Sequence, residues 1–505
     1  MGYIKLGCVC RDSRCDFRKA IEFNQQGLVI ATEVGDKELE GKAYGHFGHA
    51  YSSLCDFPKA VEFYQKEVSI AKEINNKESQ KEGCIKLGVV YCDDLGDFRK
   101  AIEFFQQGLA IAKDVGDNEA EERAYWKLGA AYASLHDFPK AVEFYQKEVS
   151  IAKEIYNKES QKEGYINLGV VYCDDLGDFR KAIEFFQQGL AIAKDVGAKE
   201  SEGRAYWNLS IAYSSLYDLP KAIEFYQKNV SIAKEVEDKK SEEEGYIKLA
   251  WVYYSSRGDY REAIEFYQQG LTIAKEVGDK ETEERAYGKL GGAYASLCDF
   301  PKAIEFYQKN VSIAKEIGDK ESEGDGYINL GVVYCDDLGD FRKAIEFFQQ
   351  GLAIAKEVGD KESEGSANWN LGIAYSSLYD FSKVIEFYQK NVSIAKQVED
   401  KKSQEKGYIN LARVYSSHGD YRKAIEFYQQ GLTIAKEVGD KETEERAYGK
   451  LGGAYASLYD FPKAIEFYQK NVSIAKEIGN KKSEEMGYNW LGFVYCDDLG
   501  DFSKN

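Results

Sequence analysis

No stretch of this 505-residue chain comes near the roughly 18 apolar residues that a membrane-spanning helix needs. The opening MGYIKLGCVCRDSRCDF places a charge too close to its apolar segment to act as a secretory signal, so a cytoplasmic protein is expected. Proline is scarce: Pro58, Pro139, Pro220, Pro301 and Pro462 are all there are, and each follows an Asp-Phe or Asp-Leu pair. That placement puts the ring in a first helical turn, where no amide partner is lost, and excludes proline as a helix breaker. Of the four histidines, at 46, 49, 136 and 418, none recurs beside a carboxylate or cysteine at ligand spacing. His46 and His49 share a helical face, but two ligands without H-E-x-x-H or paired C-x-x-C make a weak site, and no metal or other cofactor is expected.

Signatures of catalysis are equally missing. There is no nucleophile elbow, dinucleotide fingerprint or kinase motif. GDKELEGK at 35–42 has the wrong spacing for a phosphate loop, lacks the following Ser or Thr and comes after a helix. No enzyme is expected. Basic residues are outnumbered, 67 against 86 acidic, and the formal charge of -19 repels phosphate backbones and anionic lipid on average. Nucleic acid and membrane insertion are therefore not expected. Ten cysteines do not make a disulfide framework, because Cys92, Cys173, Cys335 and Cys496 recur at one repeat position, where a small buried thiol serves as Ala or Val would. Asn-x-Ser sites at Asn208, Asn229, Asn310, Asn391 and Asn471 fall inside helical patterns, whereas glycosylation acceptors favour exposed loops.

What the chain has in abundance is itself. A Leu-Gly pair or its equivalent recurs with its second residue at Gly48, Gly88, Gly129, Gly169, Ser210 and Ala250, then Gly291, Gly331, Gly372, Ala412, Gly452 and Gly492, after a first copy at Gly7. The spacings are 40 or 41, alternating strictly through Gly372, so the larger unit is 81 residues. GYINLGVVYCDDLGDFRKAIEFFQQGLAIAK stands unchanged at 164–194 and 326–356. Within one repeat, Tyr327, Leu330 and Tyr334 form an apolar stripe at helical spacing, and Phe341, Ala344, Ile345, Phe348, Leu352 and Ala355 form a second. Each repeat is thus two amphipathic helices. Gly339-Asp340 separates them, with Gly suited to a left-handed helix end and Asp to capping the next helix.

Of the twelve joints between repeats, eight begin with Gly, and all but Gly197-Ala198 carry Asp or Asn second. The predicted organisation is one continuous array over 1–505, about twelve full repeats and a partial C-terminal one. Its boundaries fall near 36, 76, 117, 157, 198, 238, 279, 319, 360, 400, 440 and 480. A lone hairpin cannot cover its own apolar faces, so hairpins must stack. The fold class predicted is all-α, a right-handed solenoid of stacked antiparallel hairpins.

Tyr125-x-x-Leu128-Gly129-x-x-Tyr132, followed by Ala141 and Tyr145, resembles the tetratricopeptide signature, and the likeness covers essentially the whole chain. The usual Pro ending the second helix is absent, and the period exceeds the usual 34. Phrases such as GRAYWNLSIAYSSLYDLPKAIEFYQKNVSIAKEV are similar to the long-period arrays of the Partner-of-Inscuteable family of G-protein signalling modulators, with kinesin light chains more distant. That resemblance implies a scaffold for extended peptides in signalling or cell polarity. The family's separate G-protein-binding region has no counterpart in these residues. Its usual Asn after Leu-Gly is replaced here by Val89, Ala130, Ile211, Trp251 or Gly292, so no partner carries over.

Tetratricopeptide arrays line a concave face with their first helices, which would turn the residue two before the Gly toward a groove. That ladder reads Lys5, His46, Lys86, Lys127, Asn167, Asn208, Lys248, Lys289, Asn329, Asn370, Asn410, Lys450 and Trp490. One turn earlier stand Arg123, Arg204, Arg285 and Arg446, with Lys42 in the corresponding place, and Trp126, Trp207, Trp251 and Trp369 are candidate apolar anchors. Asn can meet both groups of a peptide backbone, while Lys and Arg favour acidic side chains. The expectation is a polar, locally basic groove for extended, acidic protein segments. The same residues also suit merely solvated helix faces. Two other roles stay open: the recognition arm of a longer signalling or effector protein, and end-to-end self-association into a structural assembly.

Overall fold

The computed structural model describes residues 17–501, all of whose regular elements are helical. The readings at Lys5 and Gly7 concern residues outside that range. The chain divides between Val252 and Tyr253 into two compact units. In the first, helix Phe17–Val34 precedes the hairpins Lys37–Ser53 with Phe57–Glu73, Lys77–Val89 with Phe98–Val115, and Asn118–Ser134 with Phe138–Glu154. Lys158–Val170 with Phe179–Val196 and Lys199–Ser215 with Leu219–Glu235 follow, and Lys239–Val252 closes the unit. The second unit runs from Tyr260–Val277 through Lys280–Ser296 with Phe300–Ile317, Lys320–Val332 with Phe341–Val358, and Lys361–Ser377 with Phe381–Gln397. Lys401–Ser417 with Tyr421–Val438, Lys441–Ser457 with Phe461–Glu477, and the helix Lys481–Asp501 complete it. Each unit is a stack of helical hairpins, the α-solenoid architecture.

The helices start and stop for local reasons. Asp97 accepts from the Lys100 amide at 3.1 Å and Asp117 from the Ala120 amide at 3.0 Å, satisfying donors that the first turn leaves free. At the other end Gly116 takes φ 70°, the left-handed turn that costs an L side chain energy. Asn75, Tyr156, Glu237 and Glu399 hold the same left-handed geometry at the joints that lack Gly. There the stacking of adjacent hairpins, not the residue's own preference, dictates the backbone.

Packing explains the small residue at the repeat's centre. A Cβ on Gly331 would stand 2.5 Å from the ring of Phe348, and one on Gly129 2.8 Å from that of Tyr145. The second helix lays its fully buried aromatic directly across that backbone, a burial that contributes about 1.5–3 kcal/mol per side chain. Three residues on, Tyr132 stacks on Phe144 with centroids 5.3 Å apart, and Tyr213 on Phe225 at 5.4 Å.

The alternation of 40 and 41 has a structural cause. Repeats with the longer spacing hold one more residue between the small residue and the Asp cap, as Gly88 to Asp97 compares with Gly129 to Asp137. The extra residue is absorbed as a wider π-helical turn at Val90–Asp94, Val171–Asp175, Tyr253–Arg257 and Val333–Asp337. Cys92, Cys173 and Cys335 sit buried in three of these turns, and burial pushes their thiols up to about 11, about 12 and about 12, so they remain protonated and unreactive at neutral pH. Cys496 is exposed.

Alternate second helices also bury one polar residue at an equivalent place, Glu67, Glu148, Asn229, Asn310, Asn391 and Asn471, whereas those between them carry Gly108, Gly189, Gly270, Gly351 and Gly431 there. The Asn229 amide donates to the Gly203 carbonyl at 3.0 Å and that of Asn391 to Gly365 at 3.0 Å, tying the second helix to the first. Glu67 instead faces Lys86 at 3.2 Å. At Glu148 the corresponding cation is missing, because Asn167 occupies the place of Lys86. Burial, with the nearby carboxylates of Glu122 and Glu163, pushes the Glu148 carboxyl up to about 9.

Candidate peptide-binding face

Helical periodicity gathers the residues six, three and two before the small residue on one flank of the first helix, where the one at three still reaches the second helix, as Trp207 meets Tyr226 edge-on with centroids 5.7 Å apart. In the helix Lys199–Ser215 these are Arg204, exposed, and Trp207 and Asn208, half-buried. The same offsets define a first-helix face in every repeat.

The expected basic rungs are largely neutralised in the first unit. Arg123 donates to Glu82 at 2.8 Å, Lys127 reaches Asp93 at 3.0 Å, Lys86 faces Glu67, and Arg204 pairs with Glu163. All four carboxylates come from the preceding repeat, and Asp93 projects from one of the π-helical turns. Lys127 also lies over the ring of Trp126, 4.7 Å from its centroid. Asn167 is half-buried, and Lys248 and Trp251 are exposed. Sequence spacing identified the cations but not their partners, which lie 19 to 41 residues away and meet them only when hairpins stack.

In the second unit, Arg285 donates to the Thr282 hydroxyl at 3.1 Å and Arg446 to that of Thr443 at 3.0 Å. Lys289, Asn329 and Lys450 are exposed, and Asn370 and Asn410 half-buried. Trp369, Asn410, Arg446 and Lys450 come together around one opening of about 520 Å³. Lys406 and Arg413 join them there, although the sequence reading passed over both. Lys406 stands six before Ala412, the offset of Arg446 from Gly452, so its signal was present; Arg413, directly after the small residue, had no repeat to announce it.

A second kind of opening recurs. Trp207 walls a pocket of about 420 Å³ between the first helices Lys199–Ser215 and Lys239–Val252, floored by Asn229, Ile232, Ala233 and Val236. At the positions 162 residues further on, Trp369 walls a pocket of about 650 Å³ floored by Asn391, Ile394, Ala395 and Val398. Gly203 and Gly365 open both, since a Cβ on Gly203 would press on Ile232 at 3.3 Å. The lining matches position for position, with Arg204 and Glu244 exchanged for Ser366 and Lys406. The intermediate copy at Arg285 has Glu284 in place of the glycine and Gly288 in place of the tryptophan, and holds about 390 Å³.

Hairpins of this geometry, repeated with a Leu-Gly core and a buried aromatic, define a tetratricopeptide-type solenoid. The tetratricopeptide repeat family model matches residues 83–154, 120–195, 161–235, 201–276, 282–357 and 359–437, more than half of the chain, and the chain belongs to that family. No curated protein matches its sequence. Among solved structures it is similar to a signal transduction ATPase with numerous domains and a tetratricopeptide repeat sensor from Pyrococcus horikoshii, at 18% identity and TM-score 0.50, over 88% of this chain and 69% of that one. The apo quorum sensor NprR from B. thuringiensis is 16% identical with TM-score 0.43, over 72% of this chain and 99% of that one. Aspartyl phosphate phosphatase F from Bacillus subtilis is 16% identical with TM-score 0.41, over 56% and 74%. These likenesses concern the fold.

Proposed function

We propose that this protein is a non-enzymatic adaptor that holds extended segments of partner proteins against its first-helix faces. The observation that carries the reading is the tryptophan-walled pocket, present at Trp207 and again at Trp369 with its lining kept. An aromatic wall, a small apolar floor and a few polar groups at the rim form the usual chemistry of a side-chain pocket. Rigid aromatic anchors of this kind carry most of the affinity of an interface. The rungs of Asn167, Asn208, Asn329 and Asn370 offer both a donor and an acceptor to a peptide backbone. The long period and the likeness to Partner-of-Inscuteable arrays direct the role toward intracellular signalling or cell polarity, in the cytoplasm.

The test is capture of partner segments from a cytoplasmic extract, with bound segments identified, by the native chain and by a Trp207→Ala, Trp369→Ala variant. The variant should retain its helix content and lose the captured set. Changing Asn167, Asn208, Asn329 and Asn370 together to Ala should weaken capture without unfolding the array. Unaltered capture by both variants refutes the reading.

A further inference from the structure

We propose that the pocket walled by Trp207 receives an arginine side chain from an extended segment of a partner protein. This rests on the adaptor reading and names the chemistry that one of its pockets selects. The rim is acidic: Glu200 stands in the first turn of Lys199–Ser215, Asp238 just before Lys239–Val252 and Glu244 within it, all three exposed. Asp238 accepts from the Ser241 hydroxyl at 2.6 Å and amide at 3.1 Å, bonds that hold its carboxyl below the usual range. Arg204, the one cation of the lining, is already held by Glu163 of the preceding repeat. Glu82 and Glu163 occupy the place of Glu244 in earlier repeats, and each is taken by an arginine, Arg123 and Arg204. The corresponding Arg285 is engaged by the Thr282 hydroxyl at 3.1 Å, and among the described residues Glu200 and Glu244 take part in no ion pair.

Below the rim, Ile232, Ala233 and Val236 offer apolar surface to a methylene stem, and the Trp207 indole offers a face to a cation. Asn229 lies at the floor, 4% exposed; its amide donates to the Gly203 carbonyl at 3.0 Å, while its carbonyl oxygen is buried without a partner. Such an oxygen calls for a donor. A guanidinium carries five in a planar fork, enough to meet carboxylates on two helices and still turn one toward the floor, which a compact ammonium does less well. The Trp369 pocket repeats the indole, the apolar floor and the unpartnered Asn391 oxygen, but Lys406 stands there in the place of Glu244. That exchange reverses the charge at one rim position and makes the second pocket a built-in control.

The experiment uses the full chain labelled with 5-fluorotryptophan, so that its five indoles report by fluorine resonance. The signals of Trp207 and Trp369 are identified by their loss on substitution with Phe. The probes are the peptide Gly-Ser-Arg-Ser-Gly and its counterparts with Gln or Glu in place of Arg. The Arg peptide should move the Trp207 signal, less so as salt rises, and the other two should leave it still. Glu244→Lys should weaken the response about tenfold or more, whereas Lys406→Glu should make the Trp369 signal newly responsive to the Arg peptide. Circular dichroism checks the fold, and Glu244→Gln serves if the charge reversal misfolds. A Trp207 signal that ignores the Arg peptide, follows the Gln peptide equally, or responds undiminished in Glu244→Lys overturns the proposal. So does a Trp369 signal unmoved in Lys406→Glu. None of these touches the adaptor reading, which stands or falls on capture by the Trp207 and Trp369 variant.

Discussion

Replacing Glu148 by Gln should stabilise the hairpin Asn118–Ser134 with Phe138–Glu154 by about 3 kcal/mol at neutral pH, and by progressively less as the solution is acidified. The magnitude follows from the carboxyl's environment. Glu148 is buried, one of its oxygens has no partner, and its carboxyl is pushed from 4.5 up to about 9. Between those two values the folded chain keeps a proton that the unfolded chain releases. Stability therefore falls as pH rises, by about 1.4 kcal/mol for each unit, and levels off above about pH 9. At pH 7, 2.5 units above the ordinary carboxyl value of 4.5, the accumulated cost is about 3 kcal/mol. Gln keeps the shape, cannot ionise, and resembles the Asn that four later repeats place here. Because stacked repeats gain stability from local and nearest-neighbour terms, the readout is hydrogen exchange in residues 138–170, corrected for its intrinsic pH dependence. The native chain should lose protection from about pH 5 to about pH 9 while the variant stays level. Equal slopes in the two proteins would refute the reasoning.

Three further perturbations test the packing. Ala198→Asp should raise the thermal midpoint, with about 1–3 kcal/mol from a restored helix cap and a further carboxylate for buried Lys162, which already pairs with Glu159 and whose counterpart Lys81 is held by the capping Asp117; an unchanged midpoint counts against it. Gly331→Leu should cost about 1–3 kcal/mol by driving a side chain into Phe348, whereas Gly331→Ala should cost less, since Ala250 and Ala412 occupy the same place; identical melting of all three proteins would disprove the close approach. Tyr217, 86% exposed at φ 57°, is in the left-handed region without packing to compensate, so Tyr217→Gly should stabilise by about 1 kcal/mol in urea unfolding, and destabilisation would show that the ring has an unseen role.

Much of the fold was legible because its signals are short-range. The buried stripe of Ala344, Ile345, Phe348, Leu352 and Ala355 repeats at the helical period, and the Asp caps act on amides three residues away. The tryptophans and basic rungs of the candidate face could be read as positions but not as chemistry. Arg204 reads as a free cation until Glu163 is seen beside it, and Arg413 reads as an irregularity until Arg446 of the following first helix is seen to share its opening. The π-helical turns were hidden for another reason: the extra residue was visible as a spacing of 41, but where the helix would absorb it depends on which side chains the stack must bury.

By itself, then, the order of residues determined the all-α architecture, the helix ends and the small residue beneath each buried ring, because each rests on contacts within a turn or within one hairpin. Only the tertiary structure decided which charges are cancelled and which are left over. That depends on side chains from successive first helices, dozens of residues apart along the chain and a few ångströms apart in space. Nearly identical repeats consequently present different surfaces: a neutralised row at Arg123, Lys127 and Arg204, and an unpaired cluster at Lys406, Arg413, Arg446 and Lys450.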